Sequence, residues 1–316
     1  MNPVLTASQW LLAALMILAA GLLGVWAVKP ISRGVIPLFA SQRGARNLAL
    51  AAALCLALLA VVLVIAIGIL TRGSIVQADA MLASFLFAHR TPWLDQGMML
   101  VSALGDGPER TAGTIVVAGY LLWRRRRREA VGLAVVMIAA ALLVPALKTT
   151  FHFARPSLLY SGADAFSFPS GHATSAVAFY SVLAWIVARS QSRPWRVAPW
   201  ALAALMILLT GLSRIYLGAH WFSDVLAGFA LGGALGVIGV CLVYGPKADV
   251  ATVDGGRDGA MILAILLTIG AVLGPGALRK AHRLYAPYLQ RTLERVVDPG
   301  HLAEPGDRPV VSPPGV

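Results

Sequence analysis

The sequence predicts an all-α protein, a bundle of hydrophobic helices that crosses a membrane several times. Apolar residues make up 58% of the 316 residues and charged residues only 13%, about half the charged fraction of a soluble domain. The apolar residues fall in long blocks instead of alternating with polar ones. Lys and Arg, which outnumber Asp and Glu by 26 to 14, gather in short segments between these blocks, as expected for the loops of a membrane protein.

The composition also narrows the classes of function. A net charge of +12 can indicate nucleic-acid binding, but the cations lie between apolar blocks, where membrane topology accounts for them. We therefore expect the lipid bilayer, and no nucleic acid, as a partner. The two cysteines, Cys55 and Cys241, lie inside apolar blocks without a CxxC spacing, so we interpret them as packing residues.

The N-terminal half predicts two crossings and a surface helix. The first apolar block, about residues 10–28, is followed instead of preceded by positive charges, which favours a retained membrane helix over a cleaved signal peptide. The linker 29–46 carries four cations and is expected in the cytoplasm. A second block, about residues 47–70, then crosses outward. Residues 71–96 mix apolar and charged side chains and predict an amphipathic helix on the membrane surface.

The third crossing ends at Trp123, and its orientation follows from the charges behind it. Its apolar part, from Thr111, is too short for the hydrocarbon core, so we expect the helix to include the polar stretch 105–110. That stretch is either a helix cap in the headgroup region or a polar lip over an active site. Residues 124–128 are five consecutive arginines and predict a cytoplasmic anchor.

Four further blocks, about residues 130–147, 173–188, 197–212 and 225–244, alternate across the membrane from this anchor. Their directions place every polar motif of the chain at the same, outer face. The last of the four carries Gly228, Gly232 and Gly236, and this ridge of small residues favours close helix packing.

Three polar motifs stand at the ends of these blocks. They are Lys148 with Arg155-Pro156, then Pro169-Ser170-Gly171-His172, then Ser213-Arg214 with His220 and Asp224. Lys and Arg neutralise phosphoryl oxygens, and Ser170 with Gly171 can turn backbone N–H groups toward the same oxygens. One histidine can attack phosphorus while the other protonates the leaving oxygen. Asp224 would orient the attacking imidazole and stabilise its positive form.

These three motifs resemble the signature motifs of the type-2 phosphatidic acid phosphatase family, which shares its active site with the vanadium haloperoxidases and bacterial acid phosphatases. The motifs match without a substitution and in order, and the resemblance covers roughly residues 47–245. It implies His220 as nucleophile, Asp224 as its orienting partner and His172 as general acid. The resemblance also implies that phosphoryl oxygens are bound by Lys148, Arg155, Ser170, Gly171 and Arg214. A phosphohistidine intermediate would form, with no metal and no other cofactor. His89, His152 and His301 match no motif, and we interpret them as surface residues.

The chain then divides into four parts. These are an N-terminal membrane helix with a basic linker (1–46), a six-helix phosphatase core (47–245), a hydrophobic segment with a basic amphipathic helix (246–298) and a disordered tail (299–316). One extra hydrophobic segment thus flanks the core at each end. The eighth apolar block, about residues 260–273, precedes the basic segment, and counting crossings puts that segment outside, against the positive-inside tendency. Either the block does not fully cross, or the tendency fails here.

The implied function is hydrolysis of a phosphate mono- or diphosphate ester of a membrane lipid. The site would face the periplasm or the cell exterior from the plasma (inner) membrane. A lipid phosphotransferase stays open, because an alcohol can take the phosphoryl group instead of water. A transporter is disfavoured because the charges gather at one face, without a mid-helix acidic relay or inverted repeat. A haloperoxidase is disfavoured because its small oxidant needs no membrane body. The sequence leaves open the lipid, whether phosphatidate, undecaprenyl diphosphate, phosphatidylglycerol phosphate or lipid A phosphate, and the oligomeric state.

Overall fold

The computed structural model describes residues 42–156, 166–189, 191–243 and 255–297. The predicted all-α class is confirmed, because these ranges contain nine α-helices, one 3₁₀ turn and, instead of strands, a single isolated β-bridge. The helices are α1 Gln42–Leu70, α2 Ser74–Ala88, α3 Pro92–Leu104, α4 Gly107–Trp123, α5 Arg127–Phe151, α6 Gly171–Ala188, α7 Val197–Tyr216, α8 Phe222–Val243 and α9 Gly255–Val297. The first apolar block, most of the linker after it, the predicted tail and His301 lie outside the described residues.

Six helices are long and apolar enough to cross a membrane: α1 from Asn47, α5, α6, α7, α8, and Arg257–Tyr285 of α9. Large apolar side chains cover their outward faces, and Leu56, Val64, Leu142 and Leu208 each expose more than 60% of their surface. Such a surface is stable against lipid and would aggregate in water. The chain is therefore an integral membrane protein.

The centre of the bundle is the contact between α6 and α8, the two spans with the largest buried share. The predicted glycine ridge is confirmed there. A Cβ atom on Gly228 would lie 2.7 Å from the backbone oxygen of Ser170, and one on Gly232 would lie 2.3 Å from that of Thr174. No side chain fits at these distances, so the missing Cβ atoms let the two backbones touch. This contact fixes the start of α6 against α8.

The prediction of one amphipathic surface helix over 71–96 is wrong. The segment forms α2 and the start of α3, and its polarity is reversed: Asp79 and Arg90 are buried, whereas Met81 and Phe85 are 68% and 56% exposed. Arg90 pairs with Asp95 at 3.1 Å. In a membrane bundle, polar side chains find their partners inside the protein and apolar ones face the lipid. His89 and His152 are exposed, as predicted.

The eighth apolar block and the basic segment form one continuous helix, α9. Near its start, Asp258 lies 3.2 Å from the guanidinium of Arg124 and 2.9 Å from that of Arg126. Lys280 pairs with Asp106, at the opposite end of α4, at 3.0 Å. The rise of a helix over this interval is roughly 33 Å, close to the thickness of the hydrocarbon core. Of the two alternatives, the structure therefore favours the one in which the eighth block crosses.

Candidate active site

A cavity of about 190 Å³ lies at one end of the bundle, where α3, α5 and α7 end and α4, α6 and α8 begin. We call it the motif cavity, because six of the eight predicted site residues line it: Lys148, Arg155, Gly171, His172, Arg214 and His220. The other two, Ser170 and Asp224, are fully buried and support the wall of the cavity. The three motifs, separated by up to 76 residues of sequence, thus meet in one place, and they do so at a shared end of the bundle, as predicted.

The second motif forms the beginning of α6. The hydroxyl of Ser170 accepts a hydrogen bond from the N–H of Ala173 at 3.4 Å, so it caps the helix. The Ser170 N–H donates to the backbone oxygen of Asp224 at 3.0 Å, which ties the second motif to the third. Gly171, the first helical residue, lines the cavity. The positive end of the α6 dipole therefore lies at the cavity wall, where it favours an anion.

His220 lies between a carboxylate and a guanidinium group. Its Nδ1 lies 3.5 Å from Oδ2 of Asp224, and its Nε2 lies 3.0 Å from the guanidinium of Arg155. The Asp224 carboxylate is itself fixed, because it accepts hydrogen bonds from the Trp221 N–H at 2.9 Å and from the Ser167 hydroxyl at 3.3 Å. Nε2 is thus the ring nitrogen on the side of the cations.

Burial, and after it the charges around His220, favour a neutral imidazole. Burial lowers the pKa of His220 well below its usual value, and the cations Arg155, Arg214 and Lys148 lower it further. A neutral imidazole keeps a lone pair at neutral pH, which is what a nucleophile needs. Arg214 reaches the cavity from the last turn of α7, and its guanidinium donates to the Ser102 hydroxyl at 2.5 Å.

His172 has a carboxylate partner that the motifs do not contain. Asp106 precedes α4, and its Oδ1 lies 3.4 Å from Nε2 of His172 while its Oδ2 lies 3.0 Å from Nζ of Lys280. Burial would raise the pKa of Asp106, but the hydrogen bonds and charge of His172 and Lys280 outweigh it, so this pKa lies below its usual value. Asp106 lines the cavity, so of the two interpretations of residues 105–110 the structure favours the polar lip.

A second carboxylate missed by the sequence reasoning supports the start of α8. Asp79 of α2 is buried and accepts hydrogen bonds from the N–H of Ser223 at 2.9 Å and from its hydroxyl at 2.5 Å. Burial raises the pKa of Asp79 against the effect of these bonds. Because Ser223 adjoins Asp224, this contact helps to hold the partner of His220 in place. Asp79 has no motif around it that would have identified it.

The polar groups of the cavity suit an anion. Cations dominate its lining, and Arg and Lys are the side chains that bind phosphate or carboxylate oxygens. Within the ranges that the structure describes, no three His, Cys, Asp or Glu side chains gather in a way that could hold a metal ion.

Comparison with known proteins identifies similar sequences. The model of the PAP2 superfamily matches residues 129–247, which include all three motifs. Phosphatidylglycerophosphatase B of Bacillus subtilis is 27% identical over 165 residues, which are 51% of this chain and 80% of that protein. Decaprenylphosphoryl-5-phosphoribose phosphatase of Mycobacterium tuberculosis is 32% identical over 184 residues, 55% of this chain and 92% of that protein.

Two further comparisons point the same way. Lipid A 1-phosphatase of Rhizobium etli is 35% identical over 147 residues, 40% of this chain and 59% of that protein. A crystal structure of a transmembrane PAP2-type phosphatidylglycerolphosphate phosphatase from Bacillus subtilis matches with a TM-score of 0.52 and 28% identity, and covers 57% of this chain and 91% of that one. The helix α9 begins after the residues that the superfamily model matches.

Proposed function

Because this chain belongs to the PAP2 superfamily, we propose that it is a membrane lipid phosphatase, which hydrolyses a phosphate mono- or diphosphate ester of a lipid. The observation that carries the proposal is the motif cavity, where two histidines, four cations and the start of a helix surround one space. The names of its relatives, among them phosphatidylglycerophosphatase B and lipid A 1-phosphatase, support a lipid-borne phosphate as substrate.

In the proposed mechanism, Nε2 of His220 attacks the phosphorus atom. The N–P bond forms as the P–O bond to the lipid breaks, and His172 gives a proton to the departing oxygen. Asp224, at 3.5 Å from Nδ1, stabilises the positive charge that the ring acquires. Water then attacks the phosphohistidine, gives up a proton to His172, and inorganic phosphate is released.

Lys148, Arg155 and Arg214 bind the phosphoryl oxygens in this proposal. Arg155 is well placed, because its guanidinium already lies 3.0 Å from the attacking nitrogen and would meet an oxygen of any phosphoryl group bound there. The N–H of Gly171, at the start of α6, adds a donor. Charge spreads over the phosphoryl oxygens in the transition state, where fixed cations stabilise it most. Ser170 contributes by capping α6, which holds Gly171 in position.

We assign Asp106 as a positioning residue for His172. Its carboxylate oxygen, 3.4 Å from Nε2 of His172, favours the imidazolium and holds the ring toward the cavity. Lys280 holds the other carboxylate oxygen at 3.0 Å. A general acid needs a proton on the nitrogen nearest the leaving group, and Asp106 provides both the orientation and the charge for it.

We place the motif cavity at the outer face of the plasma (inner) membrane. The support is the run of arginines at 124–128, which lies at the opposite end of the bundle and favours the cytoplasm. A lipid phosphate at the outer surface then reaches the cavity with its acyl or prenyl chains still in the bilayer.

Phosphate release by the detergent-purified protein tests the function. The substrates are phosphatidate, undecaprenyl diphosphate, phosphatidylglycerol phosphate and lipid A phosphate, each assayed beside His220→Ala. We expect release from at least one lipid by the wild type, and a loss of at least about a thousandfold in the variant, because the nucleophile is removed. Equal elution and melting temperature in detergent would show that the variant is folded. A folded variant that kept more than a few per cent of the rate would remove His220 from its role.

A further inference from the structure

An open surface groove, of about 510 Å³, runs beside the motif cavity along α9. The described residues that line it all belong to α9: Gly276, Arg279, Lys280, Arg283 and Leu284. The three cations among them are exposed. Lys280 and Leu284 also line the motif cavity. The two spaces are therefore neighbours that share one wall, and we call the second one the α9 groove.

The charge of the combined space exceeds what one phosphate needs. Six cations line the two cavities: Lys148, Arg155 and Arg214 in the motif cavity, Arg279 and Arg283 in the α9 groove, and Lys280 in both. Asp106 is the one carboxylate among these lining residues. A phosphate monoester carries about two negative charges near neutral pH, which the three cations of the motifs already match. The three cations of α9 are in excess.

Membrane topology does not account for this excess. Arginine and lysine that only anchor a helix favour the cytoplasmic side. Arg279, Lys280 and Arg283 stand instead at the end of the bundle opposite to residues 124–128, because Asp258, near the start of α9, pairs with Arg124. An anchor also has no need to share a wall with the motif cavity. The cations of α9, which are exposed next to the motif cavity, favour an anionic ligand at that end.

The α9 groove lies on the side where the leaving group departs. His172, the general acid in the proposed mechanism, and Lys280 bind the two oxygens of the same Asp106 carboxylate, at 3.4 and 3.0 Å. The oxygen that receives the proton of His172 therefore leaves close to Lys280. An anionic group attached to that oxygen would meet Lys280 first, then Arg279 and Arg283.

We propose that the α9 groove binds a second phosphate, carried by the leaving group, and that the preferred substrates are lipids with two phosphates instead of one. This inference rests on the proposed phosphatase function. With a diphosphate ester, Nε2 of His220 bonds to the terminal phosphorus, and the bond from that phosphorus to the bridging oxygen breaks. The lipid monophosphate leaves with the bridging oxygen and takes the proton of His172. Water then cleaves the N–P bond and releases inorganic phosphate.

A matched pair of lipids tests the proposal. Diacylglycerol diphosphate and phosphatidate with the same acyl chains differ by one phosphate, and both are presented in the same detergent micelles. A radioactive label on the terminal phosphate of each lipid counts only the first cleavage. The quantity measured is the ratio of kcat/KM for the diphosphate to that for phosphatidate, which we expect to exceed about ten for the wild type.

Arg283→Gln should lower this ratio about fivefold, as expected for the loss of a partly exposed ion pair, and Arg279→Gln with Arg283→Gln should lower it further. Arg72→Gln is the matched control, since it removes an exposed arginine that lines neither cavity, and it should leave the ratio unchanged. A fraction of misfolded protein lowers the rates on both lipids equally, so it does not change their ratio.

Each outcome decides the question. A wild type without preference for the diphosphate, or a ratio that Arg283→Gln and the double variant leave unchanged, would overturn the second phosphate site. Arg72→Gln lowering the ratio as much as Arg283→Gln would also overturn it, because the effect would then come from general surface charge. A wild type that releases phosphate from neither lipid, nor from the wider panel, would instead overturn the phosphatase function itself.

Discussion

Asp106→Asn separates the proposed role of Asp106 from a merely structural one. The substitution keeps the size of the side chain and an oxygen that can accept a hydrogen bond, and removes the charge that faces His172. When His172 carries the proton that it is to donate, its charge and that of Asp106 are 3.4 Å apart and interact by roughly 5 kcal/mol at an effective dielectric constant of 20. Lys280, at 3.0 Å on the other carboxylate oxygen, offsets much of this, and the side chain is 24% exposed. We therefore expect the substitution to raise the activation free energy by about 1.5–3 kcal/mol, which lowers kcat roughly ten- to a hundredfold.

The assay compares two leaving groups. The leaving group of phosphatidate is diacylglycerol, which would depart as an alkoxide and needs a proton from His172. The leaving group of p-nitrophenyl phosphate is p-nitrophenolate, a stable anion that needs none. We expect Asp106→Asn to lower kcat on phosphatidate ten- to a hundredfold, with a small effect on KM, and to lower kcat on p-nitrophenyl phosphate no more than about threefold. His172→Gln should show the same contrast, only larger.

Glu109→Gln is the control for this experiment. Glu109 is a buried carboxylate in the first turn of α4, and the structure shows no hydrogen bond between it and His172. Glu109→Gln should therefore leave unchanged the ratio of kcat on phosphatidate to kcat on p-nitrophenyl phosphate. An equal loss on both leaving groups in Asp106→Asn would refute the reasoning, because it would mean that Asp106 only maintains the shape of the cavity.

Three further predictions test the proposed chemistry and orientation. Phosphatase activity should survive EDTA and be inhibited by orthovanadate, which mimics the five-coordinate transition state. Arg155→Lys should lose at least about tenfold in activity because Lys lacks the two-pronged donor geometry. Loss of activity with EDTA and its recovery with Mg²⁺ would contradict the mechanism. In intact cells an impermeant thiol reagent should label His152→Cys but not Ser192→Cys, and the opposite pattern would invert the orientation. Lys148→Gln should move the acid limb of the kcat/KM profile to higher pH. Burial, Arg155 and Arg214 lower the pKa of His220, and Lys148 lowers it further. Removing the charge of Lys148 should therefore raise this pKa, so that the nucleophile is protonated nearer to neutral pH. An unmoved limb would show that His220 does not set it.

The parts that the sequence predicts are those governed by local rules. Helix directions follow from apolar length and from the arginines at 124–128, and they correctly bring Lys148, His172 and His220 to the same end. The observed helices extend past the predicted blocks at that end. Arg214 lies in the last turn of α7 and Asp224 in the first turn of α8, because a polar side chain that finds partners inside the bundle does not stop a helix.

The parts that the sequence does not predict depend on contacts between distant segments. Asp79 looked like a polar residue of a surface helix, yet it holds Ser223, which lies 144 positions away. Asp106 stands in a Gly-Asp-Gly-Pro context that is typical of a helix start, and this local explanation conceals its pairing with His172. Hydropathy cannot distinguish a carboxylate at the headgroup level from one that faces a catalytic cavity, because both follow an apolar block.

Helix α9 shows how a segment outside the shared motifs can affect their chemistry. In the proposed mechanism the motifs supply a nucleophile, an acid and three cations, and these suit any phosphate ester. Lys280 and His172 contact the same carboxylate, that of Asp106. With His172 as the proposed acid, we therefore expect α9 to lie near the leaving group, the part of the substrate that differs from one lipid phosphate to the next. Discrimination between substrates requires groups that touch what differs between them. We propose that in this chain those groups are on α9, and we therefore expect substitutions on α9 to change the choice of lipid more than substitutions in the motifs.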